Sequence, residues 1–146
     1  MTDTTNLGDL SPYAHYRSLR LRRHPHGVLE VVMSGEGMNK SGLAAADEHM
    51  HRELADIWRD IDRDPDTRVA VIRGEGKGFS AGGDLGLVEQ MADRFDVRSR
   101  VWREARDLVY NVIHCSQPIV SAMTGPAVGA GPAAGLLAAI SIATHD

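Results

Sequence analysis

Apolar and charged residues alternate from Tyr16 to Arg22, with Leu19 and Leu21 set against Arg20 and Arg22. A period of two predicts a half-buried strand. His24-Pro25-His26-Gly27 is turn chemistry, and the apolar run from Val28 to Met33 predicts a second strand, so the two form a hairpin. Ser34 to Asn39 reads as a loop. The period then changes. Met50, Leu54, Ile57, Trp58 and Ile61 fall on one face at helical spacing, which predicts a helix over 43–63 ended by Asp64-Pro65-Asp66. Val69 to Ile72 and Ile119 to Met123 are short and wholly apolar or small, as in buried parallel strands. Leu85 to Met91 and Val97 to His114 read as helices, and Ile140 to Ala143 as the start of a last strand. Residues 1–14 are polar and predict a loose tail, leaving a domain over 15–146. Hairpin, helix, strand, helices, strand and strand make an α/β fold.

Composition narrows the function more than the fold. A chain of 146 residues with 42% hydrophobic and 25% charged residues is one ordinary soluble domain. Its net charge of −4, with no basic stripe, argues against a nucleic-acid partner. Cys115 is the only cysteine, which rules out an intrachain disulfide framework and suits a reducing cytosol. The first residues lack a signal-peptide pattern. No apolar run is long enough to span a membrane, and the apolar stretch 133–143 reads as core. These features predict a cytoplasmic protein with no membrane partner. His24/His26 and His49/His51 lie two apart, a spacing that does not converge on a helix, and nothing completes a ligand set, so surface histidines and no metal are expected.

Two segments carry candidate chemistry. Gly74 to Gly83 holds five glycines in ten residues, and Gly125 to Gly135 is a second glycine-rich loop; each follows a buried strand. In such sheets ligands bind beyond the carboxyl ends of strands. Glycine lets a backbone N–H approach a ligand with no side chain in the way. Two such loops can aim two N–H groups at one oxygen, an oxyanion hole, although each loop could equally be a tight turn.

The segment Val69-Ala-Val-Ile-Arg-Gly-Glu-Gly-Lys-Gly-Phe-Ser-Ala-Gly-Gly-Asp-Leu85 resembles the first signature of the enoyl-CoA hydratase/isomerase (crotonase) superfamily. Pro118-Ile-Val-Ser-Ala-Met-Thr-Gly-Pro-Ala-Val-Gly-Ala-Gly131 resembles its second. Both occur in order and at the family's spacing, and the likeness covers about residues 16–146. The resemblance implies a crotonase-like spiral of ββα units, incomplete at its C-terminus. It implies a lyase or isomerase of fatty acyl-CoA metabolism that grips a thioester carbonyl. The backbone N–H groups of Ala81 and Ala130 would be the oxyanion donors. Met38, Asn39, Ser80, Gly82, Gly83, Asp84 and Gly129 would line the coenzyme A–pantetheine channel, largely through main-chain contacts. Coenzyme A would enter as part of the substrate, with no separate cofactor, and the assembly would be a homotrimer or a dimer of trimers.

The sequence also departs from that pattern. Where hydratases of the family carry their first catalytic glutamate stands Ala133, which cannot act as acid or base. Pro132 is unusual beside it, and Ala139 replaces a family aspartate. The family is nearly twice this long, so the chain is expected to be a fragment or a degenerate product. Leu136, Leu137 and Ile140 would then lack part of their cover and favour association. Asp84 is expected to cap a helix and Glu89 to face solvent. Three other readings stay open. An acyl-CoA-binding or oligomerising relic would need no acid or base. Gly78-Phe79-Ser80-Ala81-Gly82 matches the serine-hydrolase elbow, but Gly74 to Lys77 separate it from its strand. Gly129 to Gly135 resembles a dinucleotide fingerprint but does not open directly from one.

Overall fold

The structure, a computed structural model, describes residues 8–34 and 42–144. Met38 and Asn39, most of the expected loop over 34–39, residues 1–7, and His145 and Asp146 lie outside the described residues. Strand β1 (Leu19–His24) turns through a short helical turn and pairs antiparallel with β2 (Val28–Met33), Leu19 opposite Met33 and His24 opposite Val28. Helix α1 (Glu48–Arg63) crosses to β4 (Val69–Gly74), and helices α2 (Leu85–Asp93) and α3 (Phe95–His114) cross to β6 (Ile119–Met123). A short helix α4 (Ala130–Leu136) leads to β7 (Ile140–Ala143). The main sheet runs β1-β2-β4-β6-β7, parallel from β2 onward. A second, two-stranded parallel sheet joins β3 (Ala45–Ala46) to β5 (Gly82–Gly83).

Three elements differ from expectation. The helix expected from Leu43 begins at Glu48. Asp47 is extended and its side chain accepts the Met50 N–H at 2.8 Å, an N-cap that stops the helix from starting earlier. Ala45 and Ala46 pair instead with the first glycine loop. Part of the second glycine loop is helical, as α4. Finally, residues 8–14 are docked: Tyr13 is only 3% exposed, within a helical turn over Ser11–Tyr13.

The core lies between the main sheet and α1 with α3. Leu29, Val31 and Met33 of β2, Ala70 and Ile72 of β4 and Ile119 of β6 are buried on the sheet. Met50, Leu54, Ile57, Trp58 and Ile61 of α1 meet them with Leu108 and Val112 of α3. Each large side chain so buried contributes roughly 1.5–3 kcal/mol of transfer free energy. Along the α1–α3 seam His51 is buried, its Nδ1 2.8 Å from Glu104, and Arg100 pairs with Glu48. His51 was expected at the surface. Its position between Met50 and Leu54 places it where α3 covers α1, and the glutamate makes burial tolerable.

A buried polar knot fastens the end of α1 to the chain's beginning. Tyr13 Oη, Thr67 Oγ1 and Arg23 Nη2 all donate to Asp64 Oδ2, at 2.7, 2.5 and 2.7 Å. The Asp66 N–H donates to Oδ1, and Arg23 also donates through Nε and Nη2 to the Asp9 carbonyl. Burial raises the Asp64 carboxyl, but the hydrogen bonds from Thr67, Tyr13 and Arg23 outweigh it and hold the group below the usual carboxylate range. A native pKa below the unfolded one makes this stability complete above about pH 4 and lost as pH falls through the native value. At the sheet's other edge all four residues of β7 are exposed, Ile140 and Ile142 by more than half, and Leu136 is exposed nearby. Leu137, by contrast, packs against the core.

Two outcomes follow. Asp64→Ala strands the Arg23 charge in the interior and lowers unfolding free energy by about 3 kcal/mol at neutral pH, read by urea titration; the deficit shrinks toward pH 3, and a loss independent of pH would contradict it. The wild-type chain associates as its concentration rises, and Ile142→Lys reduces this in sedimentation velocity; a monomer at all concentrations would refute the exposure argument.

Candidate active site

β4 and β6 are register neighbours, Ala70 beside Ile119 and Arg73 beside Ala122, so the loops that leave their carboxyl ends start side by side. Close approach then needs glycine. At Gly74 a Cβ would overlap the carbonyls of Gly78 and Phe79, where the first loop folds back over the strand. At Gly125, with φ +60°, it would overlap the Lys77 carbonyl. The loops are joined by their main chains. The Phe79 and Ser80 N–H groups both donate to the Pro126 carbonyl, at 2.9 and 3.1 Å, and the Val128 N–H donates to the Ser80 carbonyl at 2.9 Å. Phe79 anchors the assembly from below, fully buried beside Gly135.

The loops also meet at Gly82 and Gly129, both at positive φ. A Cβ on Gly129 would lie 3.0 Å from the Gly82 Cα and 3.7 Å from the Gly83 nitrogen; one on Gly82 would lie 3.2 Å from the Val128 carbonyl oxygen. Ser80, Gly82, Gly83, Asp84, Gly129 and the backbone of Ala130 are therefore gathered in one place. Ala130 is the first residue of α4, where an N–H has no acceptor within its own helix.

Ala81 is different. Its N–H donates to the Ala44 carbonyl at 2.7 Å, and that engagement is incompatible with service as an oxyanion donor in this geometry. The Asp84 N–H likewise donates to the Ala46 carbonyl at 3.0 Å, and the Gly82 N–H to Ser80 Oγ at 3.0 Å. Successive amides of an extended strand point to opposite sides. Gly83, next to Asp84 in β5, therefore turns its N–H away from β3, and no loop, cap or side-chain acceptor among the described residues holds it. The segment that does this sorting, Leu43 to Ala46 with β3 at its end, was hidden in the sequence because three alanines extend a helical pattern; Asp47, a capping residue, was the available signal.

The side chains have supporting roles. The Asp84 carboxylate accepts from the Gly86 and Leu87 N–H groups at 2.9 and 3.3 Å, capping α2 as expected. Glu89 is exposed on α2. Ser80 is buried, with its hydroxyl against Gly82 and Gly131 rather than an imidazole. His51 is engaged with Glu104, and His114, stacked on Tyr110, closes α3 just before the opposite end of β6, so neither of these two histidines is placed as a base for Ser80. Exposed Leu85, Val88 and Val128 form an apolar rim, and Val88 Cγ2 lies 3.7 Å from where a Gly83 Cβ would stand. Ala133, half-buried on α4, offers no proton-transfer group. Among the described residues no three His, Cys, Asp or Glu are grouped to hold a metal. A cavity of 360 Å³ near Pro118, Ile119 and Leu137 belongs to the far end of β6; Cys115 lines it, and burial pushes its thiol up.

Comparison with known proteins adds an independent line. The family model described as enoyl-CoA hydratase/isomerase matches residues 38–146. The human mitochondrial Delta(3,5)-Delta(2,4)-dienoyl-CoA isomerase is 32% identical over 136 residues, 86% of this chain and 39% of its own length. The 1,2-epoxyphenylacetyl-CoA isomerase of Escherichia coli K12 is 32% identical over 106 residues, 71% of this chain and 40% of its own. Among solved structures, an enoyl-CoA hydratase/isomerase from Mycobacterium paratuberculosis superposes with a TM-score of 0.78 at 31% identity, covering 86% of this chain and 49% of that one. This chain thus spans less than half the length of these curated relatives and about half of the solved structure.

Gly129→Ala tests the loop contact. With φ +66° and ψ −129° the position is one that side chains avoid, and the strain is about 1–3 kcal/mol. Thermal unfolding should show that loss; an unchanged midpoint would mean the loops are not held as described.

Proposed function

Because this chain belongs to the enoyl-CoA hydratase/isomerase family, we propose that it binds an acyl-CoA thioester and stabilises the enolate oxygen with the main-chain N–H groups of Gly83 and Ala130. The observation that carries this reading is the packing of Gly129 against Gly82 and Gly83, with the Gly83 N–H directed away from β3. A thioester oxygen lodged where the two loops meet would accept from both amides. Its carbonyl would be polarised, the α-carbon made more acidic, and the enolate oxygen stabilised as negative charge develops. Donors fixed in place before the reaction need no reorganisation during it, and each is worth about 3 kcal/mol, a hundredfold or more in rate. The apolar rim of Leu85, Val88 and Val128 would exclude water from that oxygen and so strengthen both hydrogen bonds.

Hydratase (lyase) chemistry rather than isomerase chemistry, a trimeric assembly and the channel role of Met38 and Asn39 rest on the family resemblance. The cell compartment is open in the same sense, since the human relative is mitochondrial by name. No described helix is long and apolar enough to cross a membrane. Proton transfer is a separate matter. Ala133 favours a second reading, in which this chain binds and polarises the thioester without turning it over.

The test uses acetoacetyl-CoA, whose enolate absorbs in the near ultraviolet. Saturating ligand at 100 times Kd should stabilise the chain by about 2.7 kcal/mol in a thermal-shift titration, and the bound ligand should show the enolate band. Gly83→Pro, which replaces the amide hydrogen by a ring carbon, should weaken that band about a hundredfold while the chain stays folded. Absence of the band from the wild type, or its survival in the proline variant, refutes the assignment. A strong band with no hydration of crotonyl-CoA selects the second reading.

A further inference from the structure

We propose that Ser80 is a positioning residue for this site: its hydroxyl takes the Gly82 N–H out of competition and so determines that Gly83 presents its amide to the ligand. The inference rests on the oxyanion reading above. Consider the five consecutive amides from Ser80 to Asp84. Ser80 donates to the Pro126 carbonyl, Ala81 to Ala44, Gly82 to the Ser80 hydroxyl and Asp84 to Ala46. Three of these acceptors are main-chain carbonyls that almost any sequence would supply. The Ser80 oxygen alone depends on side-chain identity.

Its surroundings explain why the bond matters. Gly82 is buried, so its N–H has no water to turn to. Its φ of +87° is a conformation that glycine can leave easily. Without an acceptor at residue 80, the nearest unsatisfied acceptor would be the ligand oxygen itself. Rotation of Gly82 toward it would swing the following amide, that of Gly83, off target. Ser80 also fixes the second loop. Its carbonyl holds the Val128 N–H, and its Cβ and Oγ fill the space where a side chain on Gly131 would stand. One residue thereby sets the first donor through a hydrogen bond and the second loop through contact beside Ala130. A serine nucleophile would need its oxygen free and next to a base, whereas this oxygen is buried and occupied.

The experiment compares the wild type with Ser80→Ala and Ser80→Cys. The thiol is somewhat bulkier than the hydroxyl, so it fills the same space, but it is a weak acceptor. Each protein is titrated with acetoacetyl-CoA, recording Kd, the enolate band at saturation and, by circular dichroism, the folded fraction. We expect both variants to stay folded and bind with little change in Kd, while the enolate-to-keto ratio falls by about tenfold, a partial loss of one oxyanion donor. Full retention of the band in Ser80→Ala overturns the proposal. So does full rescue by Ser80→Cys, which would make bulk rather than the hydrogen bond decisive, and so does a band that falls only in step with the folded fraction. Covalent capture of Ser80 by a fluorophosphonate overturns it in favour of a nucleophilic serine. If the wild type binds without an enolate band, the oxyanion reading fails first and this inference with it.

Discussion

The Pro126 carbonyl accepts two consecutive amides, those of Phe79 and Ser80, and the Ser80 carbonyl answers by accepting from Val128. Every feature of the candidate site hangs on this exchange between two loops far apart in sequence. It is possible because β4 and β6 are parallel neighbours whose carboxyl ends finish together. It is also demanding. Backbone can meet backbone at this distance only where side chains are missing, which is why a Cβ at Gly74, Gly125 or Gly131 would overlap its neighbours. The glycines are thus a consequence of loop-to-loop hydrogen bonding, and the amides left over after that bonding are the ones available to a ligand.

The smaller sheet completes the sorting. By accepting the Ala81 and Asp84 N–H groups, Ala44 and Ala46 leave Gly83 facing the other way. This explains what could and could not be read from sequence. Strands β2, β6 and β7 and the C-terminal ends of α1 and α3 follow periodicities that burial imposes directly, so these boundaries were legible to within a few residues. The two glycine loops were legible as a pair. Which amide within the first loop is free was not. That choice depends on the parity of a two-residue strand and on a partner, Ala44 to Ala46, whose composition reads as helix. The residue that the motif singles out, Ala81, has its amide taken by the Ala44 carbonyl, a pairing that the motif itself does not announce.

Polar residues at the margins misled in another way. Tyr13 sits in a stretch that looks like tail, and His51 in a spacing that looks like surface. Both are buried because a distant partner accepts their polar atoms, Asp64 for the one and Glu104 for the other. Local composition carries no signal of a partner fifty residues away. The converse holds at β7, where Ile142 falls in a stretch that reads as core but is exposed; Ile140, expected to lack part of its cover, is exposed as well.

Main-chain and side-chain chemistry differ in what mutation can do to them. An N–H donor survives almost any substitution at its own residue, so alanine at position 130 supplies the same hydrogen as glycine would. An acid or base is lost with a single change, as at Ala133. The binding and polarising half of such a site is therefore robust to sequence drift, while the proton-transferring half is not. The two glycine loops belong to the fold's own hydrogen bonding, and a chain that keeps the fold keeps them. On the proposed reading, thioester polarisation and turnover are therefore separable. A side chain such as Ser80, whose hydroxyl accepts a main-chain N–H, sits on the boundary between the two.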